Sequence, residues 1–195
     1  MNFVAIDFET ANPKRDSACQ LGLVVVEGGK IIERRNWLIR PPNMYFHPFN
    51  IRIHGITPDH VKDEPRFDAL FKQLKPYLEG NIIVCHNASF DISVLRHSMD
   101  KYKIPYPSFE YACTKIIAEK TWPFLNSYRL NNIAEYLGVK FTHHDALEDA
   151  YACAEIAIQA CEEAEVDCVI KLSDKLKFTK GELFNGGYIP ARARK

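Results

Sequence analysis

Eight residues near the N-terminus, Phe3-Val4-Ala5-Ile6-Asp7-Phe8-Glu9-Thr10, set the first constraint on this chain. Their β-branched and aromatic character reads as a buried strand from Phe3 to Glu9. Two carboxylates interrupt it. A buried carboxylate is costly unless it is paired or bound to a cation. Residues two apart on a strand point to the same face, so Asp7 and Glu9 repel and neither neutralises the other. A divalent cation is the simplest compensation, and a cation held by several acids points to chemistry on phosphate.

The rest of the chain limits what that site can belong to. A length of 195 residues suits one domain, and a hydrophobic content of 47% is ample for its core. No apolar run approaches the about 18 residues that a membrane span needs. A basic leader followed by an apolar stretch and a cleavage site is absent, so a cytoplasmic protein without a membrane partner is expected. The six cysteines form no C-x-x-C pair, which argues against a zinc knuckle or a thioredoxin-like centre and for reduced thiols. Net charge is zero, yet Lys171–Lys195 carries seven basic residues and two acids, leaving 18 basic and 23 acidic residues elsewhere. An acidic body with a basic tail suits a metal-dependent enzyme acting on a polyanion; a tail charged for solubility is the plainer alternative.

Periodicity gives an outline. Apolar runs at Gln20–Glu27 and Lys30–Ile39 flank Gly28-Gly29, a hairpin signal, so the first three strands form an antiparallel meander. Thr57-Pro58-Asp59-His60 reads as a helix start. Phe67, Leu70, Phe71, Leu74, Tyr77 and Leu78 mark an amphipathic helix. Ile82–Cys85 is a short buried strand, followed by a helix bearing Ile92, Leu95 and Met99. Another strand falls at 108–113, a short helix ends at Gly138, and an Ala-rich helix spans roughly Ala146 to Ala164. The segment from Pro41 to Phe49 reads as an irregular loop. Beyond Asp167 the pattern weakens, and Gly186–Pro190 reads as extended or mobile. A meander followed by alternating strands and helices predicts a mixed α/β sheet flanked by helices.

Two further acids, Asp91 and Asp149, lie near the starts of two of these helices. Ligands from separate elements that end on one side of a sheet can converge on a point. Oxygen donors without cysteine select a hard cation such as Mg²⁺ or Mn²⁺. Two such ions can clamp the attacking and leaving oxygens of a displacement at phosphorus, with a histidine taking the proton of the attacking water. His143 and His144 stand just before the helix that carries Asp149.

Three segments carry a resemblance. FVAIDFET resembles the first exonuclease motif of the DEDDh exonucleases, HNASFD (86–91) is similar to their second, and HDALED (144–149) to their third. The family includes the proofreading epsilon subunit of bacterial DNA polymerase III, ribonuclease T and oligoribonuclease. The similarity runs from about Met1 to Ala164, with the motifs in order. It implies an RNase H-like fold, an exonuclease domain over 1–165 and a basic extension of unknown role over 166–195. It implies a 3′–5′ exonuclease that releases nucleoside 5′-monophosphates with two Mg²⁺ or Mn²⁺ ions. Asp7, Glu9, Asp91 and Asp149 become metal ligands and His144 the general base. Thr10 would touch the terminal nucleotide, with Asn87 and Phe90 supporting it.

Plainer roles exist for several of these residues. Glu9 could be a strand-end acid facing water, and Asp91 a first-turn acid favoured by the helix dipole. Asp145 reads as an N-cap. His144 and Asp149 are five residues apart, a rotation of about 140° on a helix, so His144 reaches the site from the preceding loop. In Ile53-His54-Gly55-Ile56-Thr57, also recurrent in the family, His54 either contacts nucleic acid or is simply flanked by a turn glycine and a helix cap. Tyr45, Phe46 and Phe49 either stack on an unpaired base or pack in the core. Gly181-Glu182-Leu183-Phe184 faintly resembles the end of a sliding-clamp-binding peptide, but lacks its leading Gln; docking of the tail on its own domain is the stronger reading. The expected substrate is a single-stranded or frayed 3′ end, with DNA preferred and a polymerase or clamp as a further partner. The rival readings are an exoribonuclease of the oligoribonuclease or ribonuclease T kind, and a non-catalytic nucleic-acid-binding adaptor.

Overall fold

The computed structural model describes residues 1–193. Strand β1 (Phe3–Thr10) is almost wholly buried, because it has neighbours on both edges and helices on both faces. It pairs antiparallel with β2 (Ala18–Glu27), which pairs antiparallel with β3 (Lys30–Leu38) through the turn at Gly28 and Gly29. Three helices follow, α1 (Pro48–His54), α2 (Pro58–Val61) and α3 (Phe67–Leu78). Strand β4 (Ile82–Cys85) then enters parallel to β1, with Val4 opposite Ile83, and leads into α4 (Ser89–Lys101). Strand β5 (Phe109–Cys113) is parallel to β4 and is followed by α5 (Thr114–Thr121), α6 (Leu130–Tyr136) and α7 (Ala146–Glu163). The chain ends in α8 (Val169–Leu176), β6 (Phe178–Thr179), β7 (Gly181–Phe184), β8 (Gly187–Ile189) and β9 (Arg192–Ala193). The main sheet has seven strands in the order β3-β2-β1-β4-β5-β7-β8, and β6 pairs separately with β9. The expected mixed sheet and its opening meander are both present.

Alternation along β1 sorts the two cores. Phe3 and Ala5 face a cluster built with α5, α6, α7 and α8, including Ile117, Ile133, Ile156 and Leu172. Val4, Ile6 and Phe8 face the opposite cluster with α3 and α4, including Leu70, Leu74 and Leu95. Helix α7 buries six alanines, so its backbone comes close to the sheet. At Gly22 of β2 the approach leaves no room for a side chain: a Cβ would stand 2.0 Å from the Ala146 carbonyl oxygen. Gly22 lies opposite Asp7, so this missing side chain brings the start of α7 over the acids of β1.

The structure departs from the sequence reading at several places. The loop from Pro41 ends at His47, whose Nδ1 accepts from the Phe49 amide at 3.1 Å and caps α1. That helix has no buried residue, so it leaves no apolar periodicity to read. Helix α2 has only four residues. Helix α5 was not anticipated. The segment after Asp167 is more ordered than its pattern implied. Val169 and Leu172 bury one face of α8, while β7 pairs antiparallel with β5 and carries β8 on its outer edge. Strands of two to four residues are too short to show alternation. Leu183 is fully buried against the α3–α4 core, so the Leu-Phe pair of the tail docks on its own sheet. Among the described residues no helix is long and apolar enough to cross a membrane.

Gly22→Ala should overpack the α7–β2 contact, a class of change that costs about 1–3 kcal/mol, and lower Tm by about 3–10 °C. A thermal melt checks this; an unchanged Tm would mean that α7 does not depend on that approach.

Candidate active site

The odd-numbered face of β1 runs Phe3, Ala5, Asp7, Glu9. Its first half is capped by the apolar middle of α7, and its second half emerges beneath the helix N-terminus. The start of α7 is fixed by β2. Asp145 Oδ1 accepts from the Leu147 and Glu148 amides at 3.0 and 3.1 Å, the expected N-cap. Gln20, the cross-strand partner of Glu9, accepts the Ala146 amide at 3.3 Å and donates to Asp145 Oδ2 at 3.4 Å. This places Asp149, one turn into α7, against β1. Donor atoms of Asp7, Glu9 and Asp149 all lie within 4.8 Å of one another.

Asp91 arrives from the opposite face, in the first turn of α4, and is 1% exposed. Its Oδ1 accepts the Phe8 amide at 3.0 Å, a bond between residues 83 apart that ties α4 to β1 between the two strand acids. Its Oδ2 is buried and has no hydrogen-bond partner among the described residues.

Burial is the main cause of raised proton affinity at all four acids, and their mutual repulsion adds to it. Asp7 is pushed well above the usual carboxylate range by burial, then by Asp91, Asp149 and Glu9. Glu9 is pushed up to about 8 by burial, then by Asp149 and Asp91. Asp91 is also pushed up to about 8 by burial, against the pull of the Phe8 amide. Asp149 is raised by burial and eased by its contact with His143.

His143 and His144 lie in the loop before α7, their rings stacked with centroids 3.8 Å apart. His143 Nδ1 lies 2.9 Å from Asp149 Oδ1, while His144 donates its backbone N–H to Asp149 Oδ2 at 3.2 Å. Thus the ring that touches Asp149 belongs to His143, and His144 takes a left-handed backbone with φ of 70°. The two rings lie side by side, with His143 the one in contact with Asp149, and spacing along the sequence does not reveal which it is. Burial, then the neighbouring His143, holds the His144 imidazole below its usual pKa.

All of these groups except the buried Asp91 border an open cleft of about 690 Å³. Asn87 and Phe90 line it together with Asp7, Glu9, both histidines and Asp149. Asn87 has φ of 57° and accepts from Ser89 Oγ at 3.3 Å, and Phe90 carries the Arg15 guanidinium 4.2 Å over its ring. Thr10 is 5% exposed, and its carbonyl accepts from Asn50 Nδ2 at 2.8 Å and bonds His54 Nε2 at 3.1 Å. His54 Nδ1 accepts the Ile56 amide at 3.0 Å, so its proton sits on Nε2 and both ring nitrogens are engaged. Phe46 is core, whereas Tyr45 and Phe49 are exposed.

The far wall was not anticipated. It carries Asn126, Ser127 and Arg129, with Lys115 at one end. His86 anchors this wall: its Nε2 bonds the Tyr128 carbonyl at 3.1 Å and its Nδ1 the Thr114 hydroxyl at 2.9 Å. Burial brings its pKa down to about 4, which keeps the ring neutral. The polar run Asn126-Ser127-Tyr128-Arg129 ahead of an apolar helix was the available signal.

Comparison with known proteins gives this arrangement its family. The family model described as Exonuclease matches residues 4–157. The chain belongs to the DEDDh family of 3′–5′ exonucleases. It is 33% identical over 182 residues to a PolC-type DNA polymerase III of Thermotoga maritima, covering 91% of this chain and 13% of that protein. It is 31% identical over 157 residues to the 3′-5′ exonuclease DinG of Bacillus subtilis, covering 79% of this chain and 16% of that protein. The chain therefore spans a small part of the curated relatives it matches. Among solved structures, Exonuclease X in complex with 5′ overhanging duplex DNA superposes with a TM-score of 0.73 at 26% identity, covering 89% of this chain and 99% of that one. The nuclease domain of 3′hExo, a DEDDh family member bound to rAMP, gives 0.74 at 18% identity over 83% of this chain and 92% of that one, a likeness of fold. The RNase H-like fold follows from these superpositions.

The acidic cluster fits a divalent cation on its own geometry. Three carboxylates share one small space, and a fourth keeps a buried oxygen unpartnered. An all-oxygen donor set of this kind suits a hard ion. His143, His144 and Asp149 form a second donor group within the same 4.8 Å limit, so Asp149 is shared between the two.

The raised carboxyl groups give a pH signature. With folded values of about 8 for Glu9 and Asp91, the folded chain holds protons that the unfolded chain has released above about pH 4.5. The metal-free exonuclease should therefore lose stability as pH rises from about 5 to about 8. Melts in chelator should show a lower Tm at about pH 8 than at about pH 5.5, and Mn²⁺ should raise Tm more at the higher pH, where fewer protons compete. A Tm indifferent to pH and to Mn²⁺ would contradict the assignment of these acids as a cation site.

Proposed function

We propose that this exonuclease removes nucleoside 5′-monophosphates from 3′ ends of single-stranded or frayed DNA, using two Mg²⁺ or Mn²⁺ ions. The observation that carries the reading is the convergence of Asp7, Glu9 and Asp149 beside the unpartnered oxygen of Asp91, at the edge of an open cleft. The four acids would hold the ions. When bound, divalent cations neutralise phosphate charge and make water a better nucleophile near neutral pH.

The chain's own residues do the rest. Asn87 and Phe90 hold the terminal nucleotide against β1 with its 3′-terminal phosphodiester over the acids. Thr10 is buried and does not line the cleft; its carbonyl, bonded by Asn50 and His54, fixes the end of β1 next to Glu9. His54 acts here through Thr10, and a phosphate contact would require it to give up one of its present bonds. His144 accepts the proton of the attacking water, a role that suits an imidazole, whose pKa here is lowered by partial burial and by the neighbouring His143. The new P–O bond forms as the bond to the 3′ oxygen breaks, and the nucleoside 5′-monophosphate leaves. His143 holds Asp149 on the loop side.

A DNA substrate is supported by the PolC-type polymerase and DinG relatives and by the DNA complex of Exonuclease X. Proofreading beside a polymerase is the role we favour on the same grounds. The buried Leu183 speaks against clamp binding through the tail. Six free cysteines fit a cytoplasmic setting.

Asp7→Asn or Asp149→Asn should lower the rate on a single-stranded DNA substrate about a thousandfold or more while binding partly survives. His144→Ala should lower it about a hundredfold and His143→Ala by less than tenfold. Parallel digestion of matched DNA and RNA oligonucleotides, with chelator controls, measures all of this. Full activity in either Asn variant would refute the metal assignment, and the reverse order of the histidines would move the base to His143. Faster RNA digestion would overturn the DNA preference.

A further inference from the structure

The family match ends at residue 157, yet the chain beyond it walls a second cavity of about 380 Å³. One side is α4, with Ser93 and Arg96. The other is the start of α5, with Lys115. The hairpin β7–β8 closes it with Tyr188. Asn87 and Lys115 line both this cavity and the catalytic cleft, so the two run into each other.

The chemistry of the groove is selective. The Arg96 guanidinium lies 3.6 Å over the centroid of the Tyr188 ring. Its Nε is buried and has no hydrogen-bond partner among the described residues, although the guanidinium also interacts with the Tyr106 hydroxyl. Tyr188 is 44% exposed, which leaves ring surface free. The Lys115 ammonium is exposed and makes no salt bridge among the described residues. One acid, Glu119, faces these two cations. An aromatic ring with a stacked guanidinium and a second free cation is a combination that binds single-stranded nucleic acid, stacking a base and pairing with phosphates. The platform is held rigidly. Tyr111 Oη donates to the Ile189 carbonyl at 3.0 Å, and β7 crosses the Tyr111 ring at Gly181, where a Cβ would stand 2.0 Å away.

We infer that this groove is a subsite for the strand on the 5′ side of the scissile nucleotide, with Tyr188 and Arg96 as a base platform and Lys115 meeting a phosphate at the junction with the cleft. The inference rests on the exonuclease reading of the cleft: if the cleft takes the 3′-terminal nucleotide, the groove that opens from it beside Asn87 receives the preceding ones. The C-terminal hairpin would then make the enzyme favour longer strands.

The test compares two substrates with the full chain and Mn²⁺. The p-nitrophenyl ester of thymidine 5′-monophosphate reaches only the cleft, whereas an oligothymidylate of about eight nucleotides also reaches the groove. Tyr188→Ala and Arg96→Gln should each raise KM for the oligonucleotide about tenfold and leave hydrolysis of the ester unchanged. Tyr188→Phe, which keeps the ring, should behave like the wild type on both. An unchanged oligonucleotide KM in the first two variants, or an equal loss on both substrates, would overturn the groove. So would a wild type that hydrolyses the ester but gains nothing from the longer strand. A wild type that hydrolyses neither substrate would instead sink the exonuclease reading of the cleft, and the groove with it.

Discussion

Repulsion between carboxylates is the interaction on which the molecule turns. Asp7 and Glu9 sit on one face of a central strand, where geometry forbids them to avoid each other. Instead of relieving the strain with a basic partner, the fold adds Asp149 from above and Asp91 from the opposite layer. Each addition raises the proton affinity of the others. The chain gathers acids in one place, where they hold protons unless a cation takes the protons' place.

Holding such a site together falls to contacts that are not themselves chemical. Gly22 lets α7 descend on β2. Gln20 ties the helix cap to the strand opposite Glu9. The Phe8 amide fixes Asp91 from the far side. The three together locate a helix N-terminus, a strand end and a second helix N-terminus around one point. His86 does similar work for the opposite wall through Thr114 and Tyr128. Position is thus set by buried polar contacts and by small residues, while apolar packing on the two faces of the sheet supplies the bulk of the stability.

The carboxylates, the meander and the long helices were legible because each follows a simple period or a simple cost. Asp7 stands out as a charge in an apolar strand, and α3 and α7 show their faces plainly. Other features carry no such mark. Helix α1 has no fully buried residue, and β6 to β9 are too short to alternate. That Asp149 meets the ring of His143 but only the backbone N–H of His144, which has a left-handed backbone, is not announced by residue type. The far wall of the cleft is built from a loop whose polar residues gain meaning only once His86 pins them opposite the acids. Tail residues such as Tyr188 acquire neighbours only through sheet pairing, which local sequence does not encode.

The most direct test is diffraction from crystals of this protein soaked in Mn²⁺, with anomalous scattering used to locate the ions. The account expects peaks at about 2.1 Å from carboxylate oxygens of Asp7 and Asp149, with Glu9 and Asp91 completing the set. No peak between these side chains, or manganese held by His143 and His144 alone, would contradict it.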